Sequence, residues 1–212
     1  AAGGAGAAVI PTLHSQGLTL RPLIQQDAEV LVPLMRDPQV AEPYVLPRYP
    51  WSLADARADI AGMEASFEAQ RRLDLGIVPI ELARPVGVVS LGFSPAHDRA
   101  ELGFWVGKPF WGQGLARRAV RSMLDWAFAE RRLHRVNVRC LGDNQRTASL
   151  LQSLGFRHEG LLREHQYHWG RFRDVAIWGM LATDAGARPP EPDRRQQQGP
   201  PSPQPSECRV RT

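Results

Sequence analysis

The chain has 212 residues, 43% apolar and 23% charged, enough for one globular domain with a sizeable core. Its longest apolar runs fall short of the about 18 residues that mark a membrane-spanning helix. The net charge of +4 is carried almost wholly by arginine, Lys108 being the only lysine, so the surface favours anions mildly, or simply reflects a GC-rich coding bias.

Residues 1–17 are Ala/Gly-rich without periodicity and read as a flexible arm. They lack the basic stretch and apolar core of a signal peptide, so the expected location is the cytoplasm. The folded domain is expected from Leu18 to Asp184. Residues 185–212, rich in Pro, Gln and Arg, carry too little apolar side chain to offset ordering entropy and read as a disordered tail. Cys140 in the domain and Cys208 in the tail have no neighbours at metal-ligand or redox spacing, which speaks against a disulfide between them.

Within the domain, "LTLRP" (18–22) predicts a first strand and Asp27 opens a short helix toward Arg36. Ser52, with Asp55 three residues on, predicts a capping-box start to a second helix through "SLADARADIAGMEASFEAQRR". "LDLGIVPI" and "PVGVVSLGF" follow as strands joined by a tight "ELAR" turn, and Pro79 places the first near an edge or bulge. "RAELGFWVG" alternates as a further strand, with Leu102, Phe104 and Val106 on one face and Glu101, Gly103 and Trp105 on the other. Ala116, Ala119, Val120, Met123, Leu124 and Ala127 then recur on one helical face. "HRVNVRC" is a strand with Val136, Val138 and Cys140 on one side, and "NQRTASLLQSLGF" a short helix stopped by Gly155. "RHEGLLREHQY" and "DVAIWGML" close a hairpin across "HWGRFR". The alternation describes a mixed sheet with helices on both faces.

Between the alternating strand and the amphipathic helix lies "KPFWGQGLARRAV" (108–120). It contains neither a G-x-x-x-x-G-K-S/T phosphate loop nor a G-x-G-x-x-G dinucleotide fingerprint, since Arg117 stands where the third glycine belongs. What remains is a glycine turn at a helix start, whose amides from Gly112 to Arg117 can face one anion. An ordinary tight strand-to-helix turn fits the same residues.

The stretch "FWGQGLA" resembles the W-G-x-G-x-A pyrophosphate loop of the RimJ/RimL branch of the GNAT superfamily of N-acetyltransferases. The similarity extends in order over "LTLRPLIQQDAEVL", "AELGFWVGKPFWGQGLARRAV" and "VNVRCLGDNQRTASLLQSLGF" followed by "EGLLR". It implies an α/β (α+β) fold with a central mixed, mostly antiparallel sheet of about six to seven strands, a splayed parallel pair, and about four helices. It implies acetyl-CoA as co-substrate and no metal. The main chain of Phe104, Trp105 and Val106 would pair with the pantetheine amides, and Gly112, Gln113, Gly114, Leu115, Ala116 and Arg117 would hold the pyrophosphate. Asn144 would contact the cofactor, while also suiting a helix N-cap.

For catalysis the resemblance points to Glu101 as general base, with a solvated or ion-paired glutamate, facing Arg99 or Arg139, as the alternative reading. Glu164 is the reserve, but Gln166 stands where RimL-like enzymes carry an acidic residue. Many members place a tyrosine where this chain has Leu151; Thr147 matches the hydroxyl that RimL-like members use to bind or protonate the CoA sulfur, or is only a first-turn helix residue. Trp105 and Trp111 fit core or rim packing equally well, Cys140 reads as a small buried core residue, and His165 and His168 lack the further ligands of a metal site.

The acceptor wall implied by the resemblance comprises "DPQVAEPYVLPRYPW" and "REHQYHWGRFRD". A protein or peptide N-terminus, including that of a ribosomal protein, and a small amine such as a polyamine or aminoglycoside all remain open. A non-catalytic CoA-binding regulator, RNA or ribosome association through arginines, and a homodimer are further alternatives.

Overall fold

In a computed structural model of the chain, residues 9–44 and 49–187 are described. Their elements run β1 (Leu13–Ser15), β2 (Leu18–Arg21), α1 (Asp27–Met35), α2 (Pro38–Tyr44), α3 (Leu53–Glu68), β3 (Arg72–Pro79), β4 (Gly87–Ser94), β5 (Arg99–Val106), α4 (Leu115–Ala129), β6 (Arg135–Leu141), α5 (Gln145–Leu154), β7 (Arg157–His168) and β8 (Arg171–Leu181). The strands form one eight-stranded sheet in the order β1-β2-β3-β4-β5-β6-β8-β7. Every neighbouring pair is antiparallel except β5 and β6.

The mixed, mostly antiparallel sheet matches the expectation, with one strand and one helix more than the sequence suggested. The extra strand is β1, inside the stretch read as an arm; Leu13 pairs with Leu20 across a turn at Gly17. The extra helix is α2, which Pro43 inside it disguises; burial of Val40 and Ala41 holds it in place. The assignment of Pro79 to an edge or bulge needs correction. β3 lies between β2 and β4, and Pro79 ends it opposite Leu18, where the missing N–H falls at the end of the ladder. The next donor, Ile80 N–H, reaches Gly17 C=O at 3.2 Å. Residues 1–8, the rest of the arm, and 188–212 of the tail, with Cys208, lie outside the described residues, as do 45–48 of the acceptor segment.

The predicted face of α4 packs on one side of the sheet, where Ala119, Val120, Met123, Leu124 and Ala127 join Leu102, Val136 and Val138 in the main core. On the other side Leu31, Met35, Val40 and Ala41 of α1 and α2 pack against Val88 and Trp105, and α3 contributes Ala56 and Ile60 against Ala28 and Val32. β5 therefore carries one side chain set to each face, as its alternation predicts.

At the sheet centre β5 and β6 are in register only from Arg99 to Glu101 against Arg135 to Asn137. Beyond that point β5 continues paired with β4 alone and β6 with β8 alone, so a wedge opens between them.

Candidate active site

The wedge exposes backbone. Gly107 N–H donates to Val86 C=O at 2.8 Å, and in an antiparallel ladder the bonding direction alternates. Trp105 and Gly103 therefore turn their main-chain groups to β4, while Phe104 and Val106 turn theirs to the gap. Of the three residues expected to offer main chain, Trp105 instead offers its ring, which is buried and lies edge-on to Tyr44 with centroids 6.4 Å apart. The Val106 carbonyl is occupied, since the indole N–H of Trp111 donates to it at 2.6 Å. Its N–H still faces the wedge.

The chain then turns through Lys108–Phe110 into Gly112 at φ 78° and Gly114 at φ 71°. Both angles are in the left-handed region that glycine adopts without steric penalty. Gly114 is the N-cap of α4 and supplies no side chain to cap it. The first intrahelical donor is Arg118 N–H, bonded to Gly114 C=O at 3.1 Å. The N–H groups of Leu115, Ala116 and Arg117 precede that ladder, so the helix start presents donors and a partial positive charge.

Two cavities meet at the wedge. The first, about 810 Å³, runs from Val106 past Gly112, Gly114, Leu115, Ala116 and Arg117 to the start of α5. The second, about 1180 Å³, lies on the α2 and α3 side and is lined by Glu101, Gly103, Asn137 and Arg139 among others. Pro43, Tyr44, Phe104, Trp105, Asn144 and Thr147 line both.

Of the catalytic candidates, Glu101 and Thr147 both reach this junction region. Glu101 faces the larger cavity and its Oε1 accepts from Arg139 Nε at 2.9 Å, which is the ion-paired arrangement weighed above, with both side chains about half exposed. Asn144 caps α5, its Oδ1 accepting the N–H of Thr147 at 3.1 Å. This fixes Thr147 in the first turn; among the described residues its hydroxyl has no protein partner. Gln113 lies exposed in the turn, its amide 3.4 Å from Pro109 C=O. Glu164 is not brought to either cavity: it sits exposed in an irregular stretch of β7, its N–H bonded to Asp174 at 2.7 Å. Cys140 is buried, and burial pushes its thiol pKa up. His165 is exposed, while buried His168 contacts Glu42 C=O at 2.9 Å.

The family model of the acetyltransferase (GNAT) domain matches residues 17–157. The chain belongs to the GNAT acetyltransferase family. It is 31% identical over 173 residues to the uncharacterized N-acetyltransferase p20 of Bacillus licheniformis, covering 80% of this chain and 96% of that protein. To the ribosomal-protein-serine acetyltransferase of Escherichia coli (strain K12) it is 25% identical over 97 residues, covering 45% of this chain and 54% of that one. The RimJ of Mycobacterium smegmatis, solved with a CoA disulfide, superposes with a TM-score of 0.73 at 24% identity, covering 84% of this chain and 90% of that chain; this likeness concerns the fold.

This GNAT acetyltransferase also holds polar groups that sequence reading passed over. Asp74 is buried in β3 and accepts from Arg72 Nε at 2.8 and 2.9 Å, while Arg72 Nη2 donates to buried Ser90 at 3.0 Å. Burial pushes the Asp74 carboxyl pKa up against the pull of Arg72, and pushes the Tyr44 phenol up likewise. A polar residue at an inward position of "LDLGIVP" and of "GVVSLGF" was the available signal. Arg173 had none. It is buried, donates to both oxygens of Asp143 at 2.7 Å and to Glu42 at 2.7 Å, and so ties α2 and the loop before Asn144 to β8.

Proposed function

We propose that this acetyltransferase moves an acetyl group from acetyl-CoA to a primary amine, and that the acceptor is the α-amino group of a protein or peptide. The observation that carries the reading is the meeting of two cavities where β5 leaves β6, one ending on a bare helix start and the other lined by Glu101.

The residues present suit the donor. A Cβ at Gly112 or Gly114 would meet no atom within 4 Å, so the space beside the turn is open to a ligand, and the N–H groups from Gly112 to Arg117 are suited to a pyrophosphate. Phe104, through both main-chain groups, and Val106, through its N–H, suit an extended amide-bearing arm. Asn144 and Thr147 stand at the junction. Acetyl-CoA, when bound, supplies the activated acyl thioester.

Glu101 takes a proton from the incoming ammonium, directly or through water, and Arg139 holds its carboxylate in place. The Val106 N–H donates toward the carbonyl oxygen as negative charge builds there, the role of an oxyanion donor. Trp111, by occupying the carbonyl of the same residue, holds that peptide unit still. Thr147 relays to the departing sulfur the second proton that the nitrogen sheds after attack, so that its own hydroxyl is restored. The new C–N bond thus replaces the C–S bond, with the ammonium proton on Glu101 and a proton delivered to the thiolate.

A protein acceptor is supported by the ribosomal-protein acetyltransferase among the relatives; a ribosomal protein is the first partner to test. A small amine is the second reading, one relative being the spermidine N(1)-acetyltransferase of Vibrio cholerae; the larger cavity's Asp59, Asp74 and Glu101 are matched by Arg72, Arg99, Arg135 and Arg139 and do not select between the two acceptors. Thiol release from acetyl-CoA across N-terminal peptides and small amines separates the two. Glu101→Gln is expected to lower kcat about 100-fold or more with little change in acetyl-CoA affinity; an unchanged kcat would remove Glu101 from the mechanism.

A further inference from the structure

We propose that Arg146, stacked on Trp111, is a phosphate ligand for the coenzyme A donor, adding a full positive charge to the N–H groups of the glycine turn. The inference rests on the donor assignment made above.

The guanidinium of Arg146 lies over the Trp111 ring, 3.8 Å from its centroid. Both residues line the smaller cavity together with Gly112, Gly114 and Arg117. The neighbouring cations are engaged elsewhere: Arg173 is neutralised by Asp143 and Glu42, Lys108 lies 3.7 Å from Asp37, and Arg117 reaches Ser153 C=O. Among the described residues, no carboxylate pairs with Arg146. A cation is therefore held at the cavity wall with its charge uncompensated.

Both halves of the stack are fixed. Trp111 is anchored by its N–H on Val106 C=O, and Arg146 by the first turn of α5, which Asn144 caps. Stacking uses the face of a guanidinium and leaves its in-plane N–H donors pointing outward, the geometry that matches phosphate oxygens. Helix N–H groups from α4 and a guanidinium from α5 then approach one anionic ligand from two walls. The same tryptophan holds the phosphate ligand on one side and the Val106 peptide on the other.

The test is calorimetric titration of the full chain with CoA and with 3′-dephospho-CoA, for wild type, Arg146→Gln and Arg146→Lys. Arg146 is exposed, so both variants should fold. Arg146→Gln is expected to weaken CoA binding about tenfold to a hundredfold, with a shallower salt dependence, and Arg146→Lys to recover part of it. If the contact is to the 3′-phosphate, wild type prefers CoA over the dephospho form and Arg146→Gln loses that preference. If it is to the pyrophosphate, both ligands weaken together; either pattern supports the proposal. Arg146→Gln binding both ligands within twofold of wild type would overturn it. Wild type failing to bind CoA at all would instead defeat the donor assignment.

Discussion

Gly114 shows how one residue serves both folding and binding. Its φ of 71° would strain any other residue, yet a Cβ there would meet nothing within 4 Å, so the penalty of Gly114→Ala is a backbone penalty of about 1 kcal/mol. Thermal or urea denaturation should show that modest loss, while acetyl-CoA affinity should fall more steeply because the helix start would shift. Cys140 provides a second residue-scale test. Burial pushes its thiol up, so in a Cys208→Ser background it should react with a thiol reagent at neutral pH far more slowly in the native protein than in denaturant. A rapid native reaction would contradict its place in the core. At this scale the sequence displayed the turn glycines, Asn144 and Thr147 because each is bound to a local chain conformation. It left Glu101 with two readings, since its partner Arg139 is on another strand.

Elements whose determinants are local were readable for the same reason. Ser52 and Asp55 form the expected capping box of α3, each side chain meeting the other's backbone N–H at 3.1 Å. Ser52→Ala should destabilise the protein by about 1 kcal/mol by denaturant titration, without affecting CoA binding. The start of α4, the apolar face of that helix and the stop at Gly155 were legible on similar grounds. α2 was not, because Pro43 argues locally against a helix and only tertiary burial of Val40 and Ala41 decides otherwise. Pro79 misled in the opposite sense: position at the strand end, not at the sheet edge, makes it tolerable.

The β6, β8 and β7 trio carries a bridge invisible in sequence. Arg135 of β6 pairs with Glu159 of β7 across β8, passing over Gly179, where a Cβ would collide with both side chains. Arg135 holds the Glu159 carboxyl below its usual range. Its contribution is therefore present above the unfolded-state pKa of about 4.3 and is lost as pH falls through the lower folded value. The stability difference between wild type and Glu159→Gln, measured by urea titration, should be constant near pH 7 and shrink below about pH 4. A difference that grows toward acid would contradict the sign.

For the whole molecule, the decisive feature is the break between β5 and β6. No local pattern encodes it; it arises because β6 pairs along its length with β8 while β5 pairs along its length with β4. That wedge turns an ordinary sheet into a junction between two cavities, one at the start of α4 and the other lined by Glu101. The Arg173 clasp, drawing Glu42 and Asp143 together, sets the wall of that junction from three separate segments. The family resemblance made the wedge expected, whereas the clasp and the Arg72, Asp74 and Ser90 cluster emerge only when distant segments meet.

We propose that acetyl transfer to an amine proceeds through a ternary complex at that junction. It is tested most directly by incubating the protein with acetyl-CoA and a panel of N-terminal peptides and polyamines, following CoA thiol release and the mass of each acceptor. Stoichiometric thiol release and acetylation of a peptide α-amino group are expected, both slowed by Glu101→Gln. Acetyl-CoA binding with no acetylated amine under any condition would contradict it.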